Sequence, residues 1–176
     1  MVNKIQAADA LTLSVEKEAY RLNSSLPKTF VRRFNTQTPD EEMTKYILDQ
    51  VYNSSAKQAP LMRLFIISNL GLPDNALTDF VQSPYSETYS KCSWITKQIK
   101  DSNSLQPLRQ AGGVFNSKVM EQTDRTLMRL GRDKRYIRYT DGGACDWCKE
   151  QVQVFEITGV FARHDNCRCL RLNIGV

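Results

Sequence analysis

Four of the five cysteines and the single histidine lie in the last 32 residues, as Cys145-x2-Cys148 followed by His164-x2-Cys167-x-Cys169. A structural zinc ion takes four sulfur or nitrogen ligands in a tetrahedron, and two cysteines two residues apart on a tight turn can both reach one ion. The spacing therefore predicts one structural zinc site with Cys145 and Cys148 as ligands. The other two ligands come from His164, Cys167 and Cys169. Here the spacing leaves two choices open, because His164-x2-Cys167 repeats the first pair, whereas Cys167 and Cys169 on a strand would face the same way.

The rest of the sequence favours a reducing setting for these thiols. No targeting segment is visible, and the longest fully apolar run, Leu64 to Ile67, is far too short to cross a bilayer. We therefore expect a cytoplasmic, membrane-free protein, in which clustered cysteines more often bind metal than form disulfides. Disulfides, free thiols and redox chemistry are the alternatives. The redox alternative needs a cysteine pair at a helix start in a βαβ unit, and a β-hairpin is predicted here.

Apolar residues at three- and four-residue steps predict helices over the first three quarters of the chain. The first helix is predicted to end at Asn23-Ser24-Ser25 and Pro27. Thr38-Pro39-Asp40-Glu41 is typical of a helix start, with Thr38 as the cap and Glu41 returning the hydrogen bond. The apolar stripe of the first helix consists of Ile5, Ala8, Leu11, Val15, Ala19 and Leu22.

Further helices are predicted downstream. Pro60 to Leu70 is apolar on more than one side, which indicates a buried helix that ends at Gly71. A short helix is predicted from Asp74, and a last helix is predicted from an Asn116 cap to Gly131. Between them, a helix carries aromatic and apolar side chains at a spacing typical of a core, and Cys92 is predicted to be a small buried side chain. These spaced residues are Tyr85, Tyr89, Trp94, Ile95 and Ile99.

Beyond Gly131 the pattern changes from helix to strand. Lys134 to Thr140, Val152 to Ile157 and Arg168 to Ile174 are short, partly alternating and rich in β-branched or aromatic residues. The predicted fold class is α+β, with a mainly helical N-terminal body and a small, zinc-clamped antiparallel β tail. A tail of about 40 residues is too small to build its own core, and a structural metal is a usual remedy at that size.

The formal net charge of +5 is concentrated in one segment. Between Arg125 and Arg138, six basic residues accompany one acidic residue, Asp133. Such a run can neutralise nucleic-acid phosphates without reading sequence, although a solvated helix face has the same composition. The predicted nucleic-acid-binding residues are Arg125, Arg129, Arg132, Lys134, Arg135 and Arg138.

The motifs of zinc enzymes do not fit this sequence. Zinc deaminases need a histidine and a glutamate upstream of the cysteine pair, and here the histidine lies downstream. Zinc proteases of the His-Glu-x-x-His type need two histidines on one helix. We therefore expect no enzymatic activity.

The C-terminal motifs carry a family resemblance. Gly143 to Cys148, then Val154-Phe155, then His164-Asp165-Asn166-Cys167-Arg168-Cys169 resemble the C-terminal region of Mu F-like minor head (head morphogenesis) proteins of tailed bacteriophages. The resemblance covers roughly residues 114 to 172. It divides the chain into a helical body, 1–113, and a Mu F-like region, 114–176, with the basic helix and the zinc-binding tail. The sequence departs from the family in a short stretch before His164 and in Asp165, where the family often has proline.

The resemblance implies a non-catalytic virion protein. Such a protein would be assembled in the host cytoplasm and would lie, in several copies, at the portal or inner capsid surface. It would bind portal or major capsid protein, and packaged DNA is a further expected partner. A zinc-dependent nucleic-acid-binding protein is the alternative. A metal-dependent nuclease, in which His164 activates water beside Asp165 and Asn166, is a third and weaker interpretation.

Overall fold

The computed structural model describes residues 3–35, 37–77, 79–131, 135–140, 146–151, 154–156 and 167–175. The helices are α1 (Lys4–Arg33), α2 (Asp40–Ala56), α3 (Ala59–Leu70), α4 (Tyr85–Ser102), a 3-10 helix (Gln106–Gln110), α5 (Ala111–Leu130) and the one-turn α6 (Asp146–Glu150). The strands are β1 (Arg135–Tyr139), β2 (Val154–Glu156) and β3 (Leu170–Gly175). This confirms the predicted α+β class. Within the described ranges, no helix combines the length and apolarity that crossing a membrane requires.

Helix α1 is longer than predicted, because it continues through Pro27 to Arg33. An internal proline costs about 3 kcal/mol, since it removes a hydrogen bond and crowds the preceding turn. The segment after Asn23 also buries Leu26 and Phe30, which are 2% and 3% exposed. Burying each such side chain contributes about 1.5–3 kcal/mol, so packing offsets the proline.

The helix predicted from Thr38-Pro39-Asp40-Glu41 is confirmed as α2, but its predicted cap was wrong, and so was the predicted helix start at Asp74. Helix α2 begins at Asp40 with Pro39 in the cap position, and Thr38 Oγ1 instead accepts a hydrogen bond from the Asn35 N–H at 3.1 Å. No helix starts at Asp74, which lies in a turn. Gly71 does end α3, as predicted, in the left-handed conformation at φ 67° that glycine adopts without steric cost.

Helix α5 begins at Ala111, upstream of the predicted Asn116 cap, which was therefore wrong. The reason is close packing of α5 on α1 at Gly112. A Cβ atom there would lie 2.6 Å from Asn23 Oδ1 and 2.8 Å from the Ala19 carbonyl oxygen, and the Gly112 N–H donates to Asn23 Oδ1 at 2.9 Å. Asn116 is thus 3% exposed inside the helix. The helix ends at Gly131, as predicted.

The aromatic pattern of α4 proved less buried than expected for a core. Cys92 and Ile95 are 0% and 1% exposed, which confirms the burial predicted for Cys92. Tyr85 and Trp94, in contrast, are 60% and 48% exposed. Helical spacing marked them as one set with Ile95, but the structure leaves both rings partly exposed to solvent.

The three strands form an antiparallel sheet in the order β2-β1-β3, so β1 is central. Tyr136 is opposite Phe155 on one side and Asn173 on the other. Tyr136, Leu170 and Leu172 are buried in the same core as the helices. The sheet therefore packs on the helical body, and the boundary drawn at residue 113 falls inside α5, which contacts α1, α2 and α3.

Candidate metal centre

Three thiols converge at the end of the sheet. Cys148, Cys167 and Cys169 are 2%, 3% and 3% exposed, and their Sγ atoms all lie within 4.8 Å of one another. The Sγ atoms of Cys148 and Cys167 are 3.8 Å apart. These three buried cysteines are close enough to hold one metal ion.

The geometry suits a tetrahedral thiolate site better than a disulfide. With zinc–sulfur bonds of about 2.3 Å, ligand sulfurs in a tetrahedron lie roughly 3.8 Å apart, close to the Cys148–Cys167 separation. A disulfide requires a sulfur–sulfur distance of about 2.05 Å. A disulfide would also join only two of these sulfurs, whereas one cation can contact all three.

The backbone brings the thiols together from two separate segments. Helix α6 presents Cys148, while Cys167 and Cys169 lie directly before β3 and two residues apart. The Sγ atoms of both cysteines lie close to that of Cys148, as expected for alternate residues of an extended segment. The structure thus brings together Cys148 and the Cys167-x-Cys169 pair.

The remaining two candidate ligands, Cys145 and His164, lie outside the described residues. The predicted turn at Asp141 to Ala144 and the bend at Gly159 do so as well. Of the five candidate ligands, Cys148, Cys167 and Cys169 are therefore close together in the described part of the chain. The assignment of Cys145 as a ligand stays a prediction, and so does His164 as a candidate ligand.

The local setting of Cys148 differs from the predicted hairpin turn, because residues 146–150 form a helical turn. The sheet nevertheless departs from the βαβ unit that redox cysteine pairs use. Strands β1 and β2, which flank α6 in sequence, pair antiparallel. The described part of the connection between them thus contains a helical turn, and the two strands that it joins are antiparallel.

The surroundings of the Cys169 thiol oppose its ionisation. Hydrogen bonding to Cys167 and burial raise the pKa of the Cys169 thiol far above its usual value. A bound dication reverses this balance, since a coordinated thiol is deprotonated outright. Burial alone raises the pKa of Cys92 to about 12, so that isolated thiol is kept protonated and unreactive.

Arg168, which lies between Cys167 and Cys169 in the sequence, connects the cysteine cluster to α1. Arg168 Nη1 lies 2.7 Å from Glu16 Oε2 on α1, and the Arg168 side chain is 18% exposed. Tyr139 on β1 also donates to Asp9 Oδ1 on α1. The sequence analysis missed these contacts, because no local pattern relates residues more than 100 positions apart.

The predicted basic surface is only partly available to phosphates. Arg125 pairs with Glu121 at 2.6 Å, and Arg129 Nη2 donates to the Asp79 carbonyl at 2.5 Å. Arg138 is 5% exposed, with its guanidinium carbon 5.7 Å from the Trp147 ring centroid, so its buried side chain does not agree with a role in phosphate binding. Arg135 is exposed. Arg132 and Lys134 lie outside the described residues.

Comparisons of this chain with protein-family models, with curated proteins and with solved structures found no match.

Proposed function

We propose that this chain is a non-catalytic structural protein whose C-terminal sheet is held by one zinc ion. Cys148, Cys167 and Cys169 would supply three ligands, and Cys145 or His164 the fourth. The observation that carries the proposal is the convergence of three buried Sγ atoms within 4.8 Å of one another. Zinc is favoured over other metals, because thiolate sets of this kind select it and its structural sites are closed by four protein ligands.

The ion would connect two segments that are separate in the sequence. Helix α6 belongs to the connection between β1 and β2, whereas Cys167 and Cys169 lead into β3. A single ion thus fixes the entry of β3 relative to the β1–β2 connection. Structural zinc contributes directly to folding free energy, so the site would stabilise this end of the sheet.

Elemental analysis of reduced protein, purified without chelator, tests the site. We expect one zinc per chain, and we expect Cys148→Ser to reduce the zinc content strongly. Cys92→Ala is the matched control, because Cys92 is buried in α4 and is not part of the thiol cluster. Well-folded, reduced wild-type protein without bound metal would refute the zinc proposal.

We further infer a place for the protein in the head of a tailed bacteriophage, at the portal or inner capsid surface. The support is the resemblance of the Cys145-x2-Cys148 and His164-x2-Cys167-Arg168-Cys169 motifs to Mu F-like minor head proteins. The burial of Cys148, Cys167 and Cys169 is compatible with a structural role for those motifs. The helical body would supply the surface for portal or major capsid protein.

Mass spectrometry of purified heads tests this assignment, and we expect the full-length chain among the head proteins. Co-purification with portal or major capsid protein should persist in 0.5 M salt if apolar contacts dominate. Tight binding to DNA that falls steeply with salt would instead favour a zinc-dependent nucleic-acid-binding protein. Magnesium-dependent DNA cleavage that His164→Ala abolishes would favour a nuclease.

A further inference from the structure

A cleft of about 690 Å³ lies where α4, the 3-10 helix, α5 and α1 meet. Its volume falls within the range typical of small-molecule sites, which often lie between helices. Its lining includes Trp94 and Ile95 from α4, Arg109 from the 3-10 helix, and Val114 from α5. The cleft is formed by the helical body and is separate from the three-cysteine cluster.

The charge of the cleft favours an anion. Lys91 and Arg109 are both part of its lining, and no carboxylate is found among the described residues that form it. No described residue forms an ion pair with Arg109. Lys91 pairs with Glu87 at 2.9 Å, but the two side chains are 42% and 46% exposed, and exposed pairs of this kind contribute little to stability. Both cations can therefore turn towards a ligand at low cost.

Trp94 supplies the second recognition element. Its side chain is 48% exposed although it lies beside the buried Ile95 in the cleft. An exposed indole next to cationic groups is suited to stacking a flat ring whose anionic substituent lies on the cations. Polar side chains of Asn23, Ser90 and Ser117 in the same lining can hydrogen-bond to a ring or a sugar.

We propose that this cleft binds a ligand that combines a flat heteroaromatic ring with a phosphate group. Trp94 stacks on the ring, while Arg109 and Lys91 bind the phosphate. A free nucleotide and a nucleotide within a single strand share this chemistry. The proposal does not depend on the zinc site or on a phage origin.

Tryptophan fluorescence provides the test, with Trp147→Phe as the background, because the chain has two tryptophans. We expect AMP to quench Trp94 saturably, with a dissociation constant below about 1 mM. Arg109→Gln should weaken binding about tenfold, as expected when a charge-assisted contact is lost. Arg32→Gln is the control, because Arg32 is an exposed arginine on α1 outside the cleft lining.

A single-stranded oligothymidylate of eight nucleotides distinguishes the two sources. Tighter binding of the oligonucleotide than of AMP assigns the ligand to a strand, and the reverse assigns it to a free nucleotide. Calorimetry of Trp94→Leu should show weaker binding of the preferred ligand, while circular dichroism checks the fold. The absence of saturable binding by either probe overturns the proposal. Equal effects of Arg109→Gln and Arg32→Gln, or inorganic phosphate binding as tightly as AMP, also overturn it.

Discussion

Asn69 of α3 and Asn173 of β3 form a reciprocal pair across 104 positions of sequence. The Asn173 N–H donates to Asn69 Oδ1 at 2.7 Å, and Asn173 Nδ2 donates to the Asn69 carbonyl at 3.1 Å. Asn69 Nδ2 also donates to the Arg171 carbonyl at 2.8 Å. One buried amide thus satisfies an N–H and a C=O on the outer edge of β3. Asn69 of the helical body thus pairs with backbone groups on the edge of β3 that does not face β1.

We expect Asn69→Ala to destabilise the protein by about 2–4 kcal/mol, because two buried backbone groups of β3 lose their partner. Urea unfolding followed by circular dichroism measures the change. Asn53→Ala is the control, since Asn53 is exposed on α2, and it should alter stability by less than about 0.5 kcal/mol. Equal effects of the two substitutions would contradict the role assigned to Asn69.

Removal of the metal should loosen the sheet before the helices. Strong chelation or Cys148→Ser should increase hydrogen exchange in β1 and β3, because the proposed ion would fix the entry of β3. Helices α2 and α4, which pack on each other, should keep their protection. Unchanged exchange in β1 and β3 would show that the thiol cluster does not stabilise the sheet.

The ion pair between Arg171 and Asp124 joins β3 to α5, and the two side chains are 3% and 15% exposed. Asp124→Leu alone should cost about 3–5 kcal/mol, because it removes the carboxylate beside a buried guanidinium. The double variant Asp124→Leu with Arg171→Met should recover much of that loss, since it removes both charges of the pair. A double-mutant cycle measured by urea unfolding gives the coupling. Additive losses would contradict a direct interaction.

Tyr136 should make the protein sensitive to alkali. Burial raises the pKa of this hydroxyl, which donates to the Gly131 carbonyl at 3.1 Å, to about 12. In the unfolded chain a tyrosine ionises near pH 10, so the unfolded state loses its proton first. The stabilisation from protonated Tyr136 is complete below about pH 10 and is lost as the pH rises to about 12.

The test compares unfolding free energies between pH 8 and pH 11. Tyr136→Phe should remove part of the alkaline loss and, at pH 8, cost about 1 kcal/mol for the missing hydrogen bond. Tyr20→Phe is the control, because Tyr20 is 76% exposed on α1. An identical alkaline loss in wild type and Tyr136→Phe would rule out this contribution.

Local signals located the elements that depend on local chemistry. The apolar segment followed by Gly71 predicted α3. A glycine readily adopts the positive φ that ends a helix, and this preference does not depend on the surrounding fold. The alternating segments beyond Gly131 predicted strands that β1, β2 and β3 confirm. Cys148, Cys167 and Cys169 were selected by spacing, and the structure brings these three together.

The tertiary structure decided what depends on distant atoms. Pro27 stays inside α1 because Leu26 and Phe30 reach a core built by other helices. Asn116 is buried rather than a cap because Gly112 lets α5 approach α1. Sequence patterns report the intrinsic preference of a few neighbouring residues, whereas these outcomes depend on packing energies between segments far apart in the chain.

The C-terminal β tail shows the same difference between what the sequence predicted and what the tertiary structure decided. Its short length predicted that it could not build a core of its own, and the sequence by itself determined its strands and the residue types of its candidate metal ligands. That Tyr136 and Leu170 enter the core of the helical body, and that Asn69 closes the edge of β3, was decided only in three dimensions. The physical reason is that apolar surface is buried, and hydrogen bonds are satisfied, only where two segments pack together. A sequence pattern describes one segment and does not identify the segment on which it packs.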